Sequence, residues 1–118
     1  MLSRQNRIGR KLFLAVLKKG KNFSSENIYI KIADRGKLNG GEALPSPGFA
    51  FVVSAKVAKK ATERNKLKRQ ARAITKNVLK SVGRDVYALV FFKPSIKGKK
   101  YGEIKVELEN LYKKAKII

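Results

Sequence analysis

The chain reads as an α/β (α+β) protein, and three observations carry that reading. Segments with three-and-four apolar spacing alternate with short β-branched and aromatic runs, in the order helix, strands, helix, strand, helix. Apolar residues make up 43% of the 118 positions, enough for a modest core. No internal repeat or linker divides the sequence, so residues 1–118 are read as one domain.

Met1 to Gly9 is polar and carries Arg4 and Arg7, which suits a flexible basic arm. A helix is expected from Arg10 through Lys19, with Leu12, Phe13, Val16 and Leu17 on one side. Lys18, Lys19 and Gly20 form its stop signal. Asn22 to Ser25 reads as a turn-like break. Ile28 to Ile32 is then a strand, with Ile28, Ile30 and Ile32 on one face and Tyr29 and Lys31 on the other. An aromatic beside a cation on an open sheet face suits base stacking and phosphate contact. On the pair alone, an ordinary solvent-facing surface is the better reading.

Asp34 to Gly48 is rich in Gly, Asn and Pro and reads as a loop. Phe49 to Ser54 is the second strand, and apolar residues on both its faces suggest a central, largely covered position. Asp85 to Phe92 is a buried strand by its β-branched and aromatic content. Lys93-Pro94-Ser95 ends it, and Lys97-Gly98-Lys99-Lys100 is a basic turn without the glycine spacing of a phosphate-binding loop. A last helix is expected from Tyr101 to Lys114, with Ile104, Leu108, Leu111, Tyr112 and Ala115 as its buried stripe.

Between the second and third strands lies the most charged stretch, Lys56 to Arg72, in which eight of seventeen residues are Lys or Arg and only Glu63 opposes them. Thr62 is placed to cap a helix there, and Glu63 favours the positive end of its dipole. Leu67, Ala71, Ile74 and Val78 define a narrow apolar stripe at helical spacing. Arg64, Lys68, Arg72, Asn65, Lys76 and Arg69 follow one another around the adjoining side. A charged helix face is ordinarily just solvated, but surface helices ordinarily mix both signs. Arg64, Lys68, Arg72 and Lys76 repel one another at four-residue spacing, and a polyanion would relieve that repulsion.

The whole chain points the same way. A formal net charge of +21 implies a polyanionic partner, with nucleic acid ahead of an anionic membrane because no segment has the bulky apolar face of an interfacial helix. With neither Cys nor His, disulfides, thiolate or imidazole metal sites and His- or Cys-based triads are excluded. Phe13 to Leu17 is too short for a signal-peptide core, and no run approaches a membrane span. A soluble, cytoplasmic protein is expected. The eight acidic residues form no close pair of the kind used by metal nucleases or glycosidases, so no catalytic residue is assigned.

The central stretch resembles the signature of the bacterial ribonuclease P protein family: Ala61-x-x-Arg64-Asn65-Lys66-Leu67-Lys68-Arg69-x-x-Arg72, preceded by Val53-Ser54-Ala55-Lys56. Lys66 stands where the family motif usually has Arg, which keeps the charge and loses the bidentate fork. Phe13-x-x-Val16-Leu17-x-x-Gly20 is similar to the family's first helix, with Leu17 where Phe is common. Asp85 to Pro94 and Leu108-x-x-Leu111 are similar to its C-terminal half.

The resemblance implies a two-layer sandwich in α-β-β-(β)-α-β-α order with the basic helix in a left-handed crossover. It implies a protein subunit that assists a large catalytic RNA in the Mg²⁺-dependent removal of the 5′ leader from precursor tRNA, with Mg²⁺ held mainly by RNA and substrate. The surface for the catalytic RNA would comprise Lys56, Lys59, Lys60, Arg64, Asn65, Lys66, Lys68, Arg69, Arg72 and Lys76. Phe13, Leu17, Tyr29 and Lys31 would line the leader cleft, with Lys31 where the family often has an aromatic. No certain metal site is assigned on the protein, no membrane is expected and no obligate protein partner is evident. The alternative is a ribosomal-type structural RNA-binding protein. Long basic tails, common in that class, are missing here, whereas the compact motif between two strands is present. A DNA-binding module would need a second helix packed against the basic one, and strands flank it instead. A free-standing nuclease would need acidic groups that matter to activity.

Overall fold

The computed structural model describes residues 8–34, 48–83 and 85–118. Helix α1 (Arg10–Lys19) leads into strand β1 (Lys21–Ser24), which turns back as β2 (Ile28–Asp34). Strand β3 (Gly48–Val52) is followed by helix α2 (Ala61–Val78), strand β4 (Val86–Phe92) and helix α3 (Tyr101–Lys114). Single turns of 3-10 helix at Leu79–Ser81 and Pro94–Ile96 complete the order. Residues 1–7 of the basic arm and 35–47 of the loop lie outside the described residues. Ile8 is no part of a free arm: its N–H donates to Phe49 O at 3.3 Å.

The strands form one sheet in the order β1-β2-β4-β3, antiparallel except for the β3–β4 pair. Two expectations change here. Lys21–Ser24 is an edge strand rather than a break, paired from Lys21↔Ile32 to Ser24↔Tyr29. Its one large apolar residue, Phe23, is too little for a periodicity signal. Strand β3 ends at Val52, before Ser54, and lies at the other edge rather than the centre. Both its faces are apolar because helices approach the sheet from both sides.

On one face, Ile28, Ile30, Ile32, Phe49, Phe51, Val86, Ala88, Val90 and Phe92 meet Ala71 and Ile74 of α2 and Ile104, Leu108, Leu111 and Tyr112 of α3. This sheet and helix pair form the main two layers, a mixed α+β arrangement of four strands and three helices among the described residues. On the other face, α1 sets Leu12 and Val16 onto Ala33, Tyr87 and Leu89, and covers only part of the sheet. Because β3 and β4 are parallel neighbours, α2 is their crossover connection.

Two polar ties fix the helices. Thr75 Oγ1 and Tyr112 Oη are 2.7 Å apart between α2 and α3, both fully buried. Glu107 of α3 accepts from Ser25 Oγ at 2.5 Å, and from Asn27 N and Nδ2 at 2.7 Å each, which holds the β1–β2 turn. Burial alone would raise the Glu107 pKa; those hydrogen bonds, with Lys99 nearby, outweigh it and hold the carboxyl below its ordinary value. Among the described residues, no helix is long and apolar enough to cross a membrane.

Candidate nucleic-acid interface

Helix α2 turns its apolar stripe inward as its spacing predicts. Ala71, Ile74 and Thr75 are buried, and Leu67 and Val78 pack against the core from its margin. The charged side chains are left on the outside. Asn65, Lys66, Arg69 and Lys76 are exposed on the helix, while Arg64, Lys68 and Arg72 are half-buried along one flank. Lys56, Lys59 and Lys60 are exposed in the turn that feeds α2 from the end of β3. The structure therefore gathers the whole predicted cationic set on one helix and its entry turn.

Thr62 does not cap this helix. The N-cap residue is Lys60, with no side-chain cap, and the turn is held from inside the helix instead. Arg64 Nη1 donates to Ala58 O at 2.9 Å and to Lys59 O at 2.7 Å. A guanidinium has five N–H donors, and these bonds use one of its nitrogens. Arg64 thus shapes the entry turn as well as adding charge.

The second surface lies on the α1 side of the sheet. Cross-strand register puts Tyr29 opposite Phe91, and Val52 opposite Phe91 on its other side. The Tyr29 and Phe91 rings stack with centroids 4.6 Å apart and planes 3° from parallel. Phe13 of α1 leans on Phe91 at 6.4 Å and 56°. All three aromatics are half-buried, which leaves part of an aromatic surface accessible beside α1, where the leader cleft is expected. The sequence reading placed Phe13 and Tyr29 there and missed Phe91, because its run of apolar residues shows burial but not register.

Leu17 and Lys31 lie on the same side of the sheet as these aromatics; the Leu17 side chain is exposed, and its backbone carbonyl engages Lys31. Lys31 Nζ donates to Leu17 O at 2.6 Å, tying sheet to helix at the α1 C-terminus. That ammonium offsets the negative end of the helix dipole. Gly20 closes the helix immediately afterwards, its N–H bonded to Val16 O at 2.7 Å. The turn that carries Lys56 to Lys60 leaves the same end of the sheet that holds the Val52–Phe91–Tyr29 row, so the start of the cationic surface and the aromatic row share that end.

Comparison with known proteins gives a consistent result. The family model described as Ribonuclease P matches residues 2–116. A Synechocystis ribonuclease P protein component is 34% identical over 108 residues, covering 90% of this chain and 81% of its own. A Pseudanabaena protein of the same description is 31% identical, covering all of this chain and 97% of its own. Among solved structures, the Staphylococcus aureus RNase P protein superposes with a TM-score of 0.79 at 25% identity, over 95% of this chain and 96% of that one. The Thermotoga maritima RNase P protein gives 0.71 at 25% identity, over 86% and 89%.

Proposed function

The chain belongs to the ribonuclease P protein family, and on that footing we propose that it binds the catalytic RNA of this ribonucleoprotein in the cytoplasm and presents the 5′ leader of precursor tRNA to it. The observation that carries the proposal is that the lysine-bearing entry turn of the cationic helix leaves the sheet at the end that holds the Tyr29–Phe91 aromatic pair. The α2 face, with Lys68, Arg69, Arg72 and Lys76 and the lysines of its entry turn, contacts the phosphates of the folded catalytic RNA. The stacked Tyr29–Phe91 pair offers a sequence-tolerant platform for an unpaired leader base.

The reaction assigned to the assembly is hydrolysis of the phosphodiester that joins leader to tRNA, with the reacting groups supplied by RNA. Among the described residues no group of three or more Asp, Glu, His or Cys could hold a metal ion. Mg²⁺ is held mainly by the partner RNA and the substrate in this reading. The chain's part is electrostatic: a net charge of +21 offsets phosphate repulsion where strands of RNA approach one another, and so lowers the Mg²⁺ needed. Relatives that are ribonuclease P proteins favour this reading over a ribosomal-type structural role.

The test is precursor-tRNA cleavage at low Mg²⁺ by a bacterial ribonuclease P RNA, with and without this protein. Cleavage restored by the protein, and lost with Lys68→Ala and Arg72→Ala together, is the expected result. Cleavage equally tolerant of low Mg²⁺ with and without the protein would overturn it.

A further inference from the structure

A third surface lies on the flank of α2 opposite Arg64, Lys68 and Arg72. There, α2 and the start of α3 enclose an open groove of about 690 Å³. That volume is within the range of small-molecule sites, about 300–1,000 Å³, and accommodates a nucleotide. Its floor is apolar: Ile96 is buried in the main core, and Leu67 packs half-buried against that core. Its rim is cationic, with Lys66 on the α2 side and Lys97, Lys99 and Lys100 on the other, against one acidic residue, Glu63. Tyr101, the first residue of α3, stands at this rim with 39% of its surface exposed.

The rim is built rather than incidental. After Ile96, whose N–H bonds to Lys93 O at 2.9 Å, the chain reverses with Lys99 N–H on Ile96 O at 3.0 Å. Gly98 takes φ +87° there, a conformation that side-chain-bearing residues rarely adopt. Glu103 Oε1 accepts from the Lys100 N–H at 3.1 Å and starts α3 at the groove's edge. The basic turn is thereby held facing the α2 flank, with an apolar slot between Lys66 and the lysines of the turn.

An apolar slot, an aromatic edge and a cationic rim together fit one kind of ligand: a base with its flanking phosphates. Resting on the proposed function above, we infer that this groove seats an unpaired nucleotide of the catalytic RNA, its base against Leu67, Ile96 and Tyr101 and its phosphates against Lys97 and Lys100. Catalytic RNA is assigned rather than precursor tRNA because the groove is continuous with α2 through Lys66. The aromatic cleft, by contrast, opens on the other face of the sheet. The RNA would straddle α2, gripping both flanks.

The test measures affinity of the full chain for ribonuclease P RNA across a salt series, by filter binding. Lys97→Ala with Lys100→Ala should weaken binding about tenfold and reduce the slope of log affinity against log salt by about 1.5. Tyr101→Ala should weaken it several-fold, with Tyr101→Phe restoring it. These are surface positions, and unchanged melting temperatures would establish that the variants fold. Lys68→Ala with Arg72→Ala is the reference for the proposed function itself. Loss in that reference, with the groove variants binding as tightly as the parent, would overturn the groove and leave the function standing. No loss in either set would overturn both. If the groove variants bind catalytic RNA normally but their holoenzyme loses preference for precursor over mature tRNA, the assignment to catalytic RNA is wrong.

Discussion

Tyr29 and Phe91 face each other across β2 and β4 with their rings 3° from parallel and 4.6 Å apart. Phe13 rests against Phe91 as well, so one side chain joins α1, β2 and β4. Phe91→Ala is expected to remove both contacts and destabilise the protein by about 2–3 kcal/mol, less than a fully buried Phe would cost. Phe91→Leu should keep most of that stability yet lose the stacking platform. Urea unfolding read beside holoenzyme affinity for precursor and mature tRNA separates the two effects.

The family resemblance places Lys31 in the leader cleft, and its bond to Leu17 O points to a structural part instead. Lys31→Ala should lower stability by about 0.5–1 kcal/mol through the exposed end of α1. Its effect on the salt dependence of leader binding should be small. A slope as reduced as that of an α2 lysine variant would return Lys31 to phosphate binding.

Gly20 is required where α1 meets β2. A Cβ there would sit 2.6 Å from Val16 O and 3.3 Å from the Ile32 N and O atoms, all backbone. Gly20→Ala is therefore expected to destabilise by about 2–3 kcal/mol, since the helix end or the strand must shift. Thermal unfolding checks this directly.

Arg64 has two roles that substitution can divide. Arg64→Ala removes the bonds to Ala58 O and Lys59 O and should lower both stability, by about 1 kcal/mol, and RNA affinity. Lys68→Ala should reduce RNA affinity with little change in melting temperature, because its flank position carries charge without a turn to support. Matched melting and binding curves for the two variants test the division.

Titration distinguishes the two polar ties. Burial raises the Tyr112 phenol well above its ordinary value of 10.0, only partly offset by the Thr75 hydroxyl. Its contribution is fully present below pH 10 and is lost as pH rises further, because the unfolded chain ionises first. Glu107 has the opposite sign. Its folded pKa lies below the ordinary 4.5, so its contribution is present above that value and is lost as pH falls through the lower one. Urea midpoints of the parent should fall at both extremes. Tyr112→Phe should flatten the alkaline limb, and Glu107→Gln the acid limb.

Much of the fold was legible because helix α1, strand β2, helix α3 and the inward stripe of α2 each obey a single period over many residues. What was missed depends on pairing between distant segments. Phe23 alone cannot announce β1. The two apolar faces of Phe49–Val52 look central whether a strand or a helix covers them. The cationic residues of α2 could be listed from sequence because the helix itself places them together. Phe91 could not, since its partnership with Tyr29 exists only through the β2–β4 register. Lys31 and Arg64 were visible as charges, and their carbonyl partners were not.

The parallel pairing of β3 and β4 bears on how the chain reaches its native state. The β1–β2 hairpin closes through a short local turn, whereas Gly48 meets Tyr87 only after all of α2 has been passed. Loop-closure entropy must be met before that ladder returns any hydrogen bonds, and non-local pairing of this kind slows folding. The helix that holds the cationic surface is thus also the segment that separates the two strands of the parallel pair. Neutralising the like charges of α2, by added salt or a bound polyanion, is therefore expected to speed refolding, which stopped-flow refolding across a salt series checks.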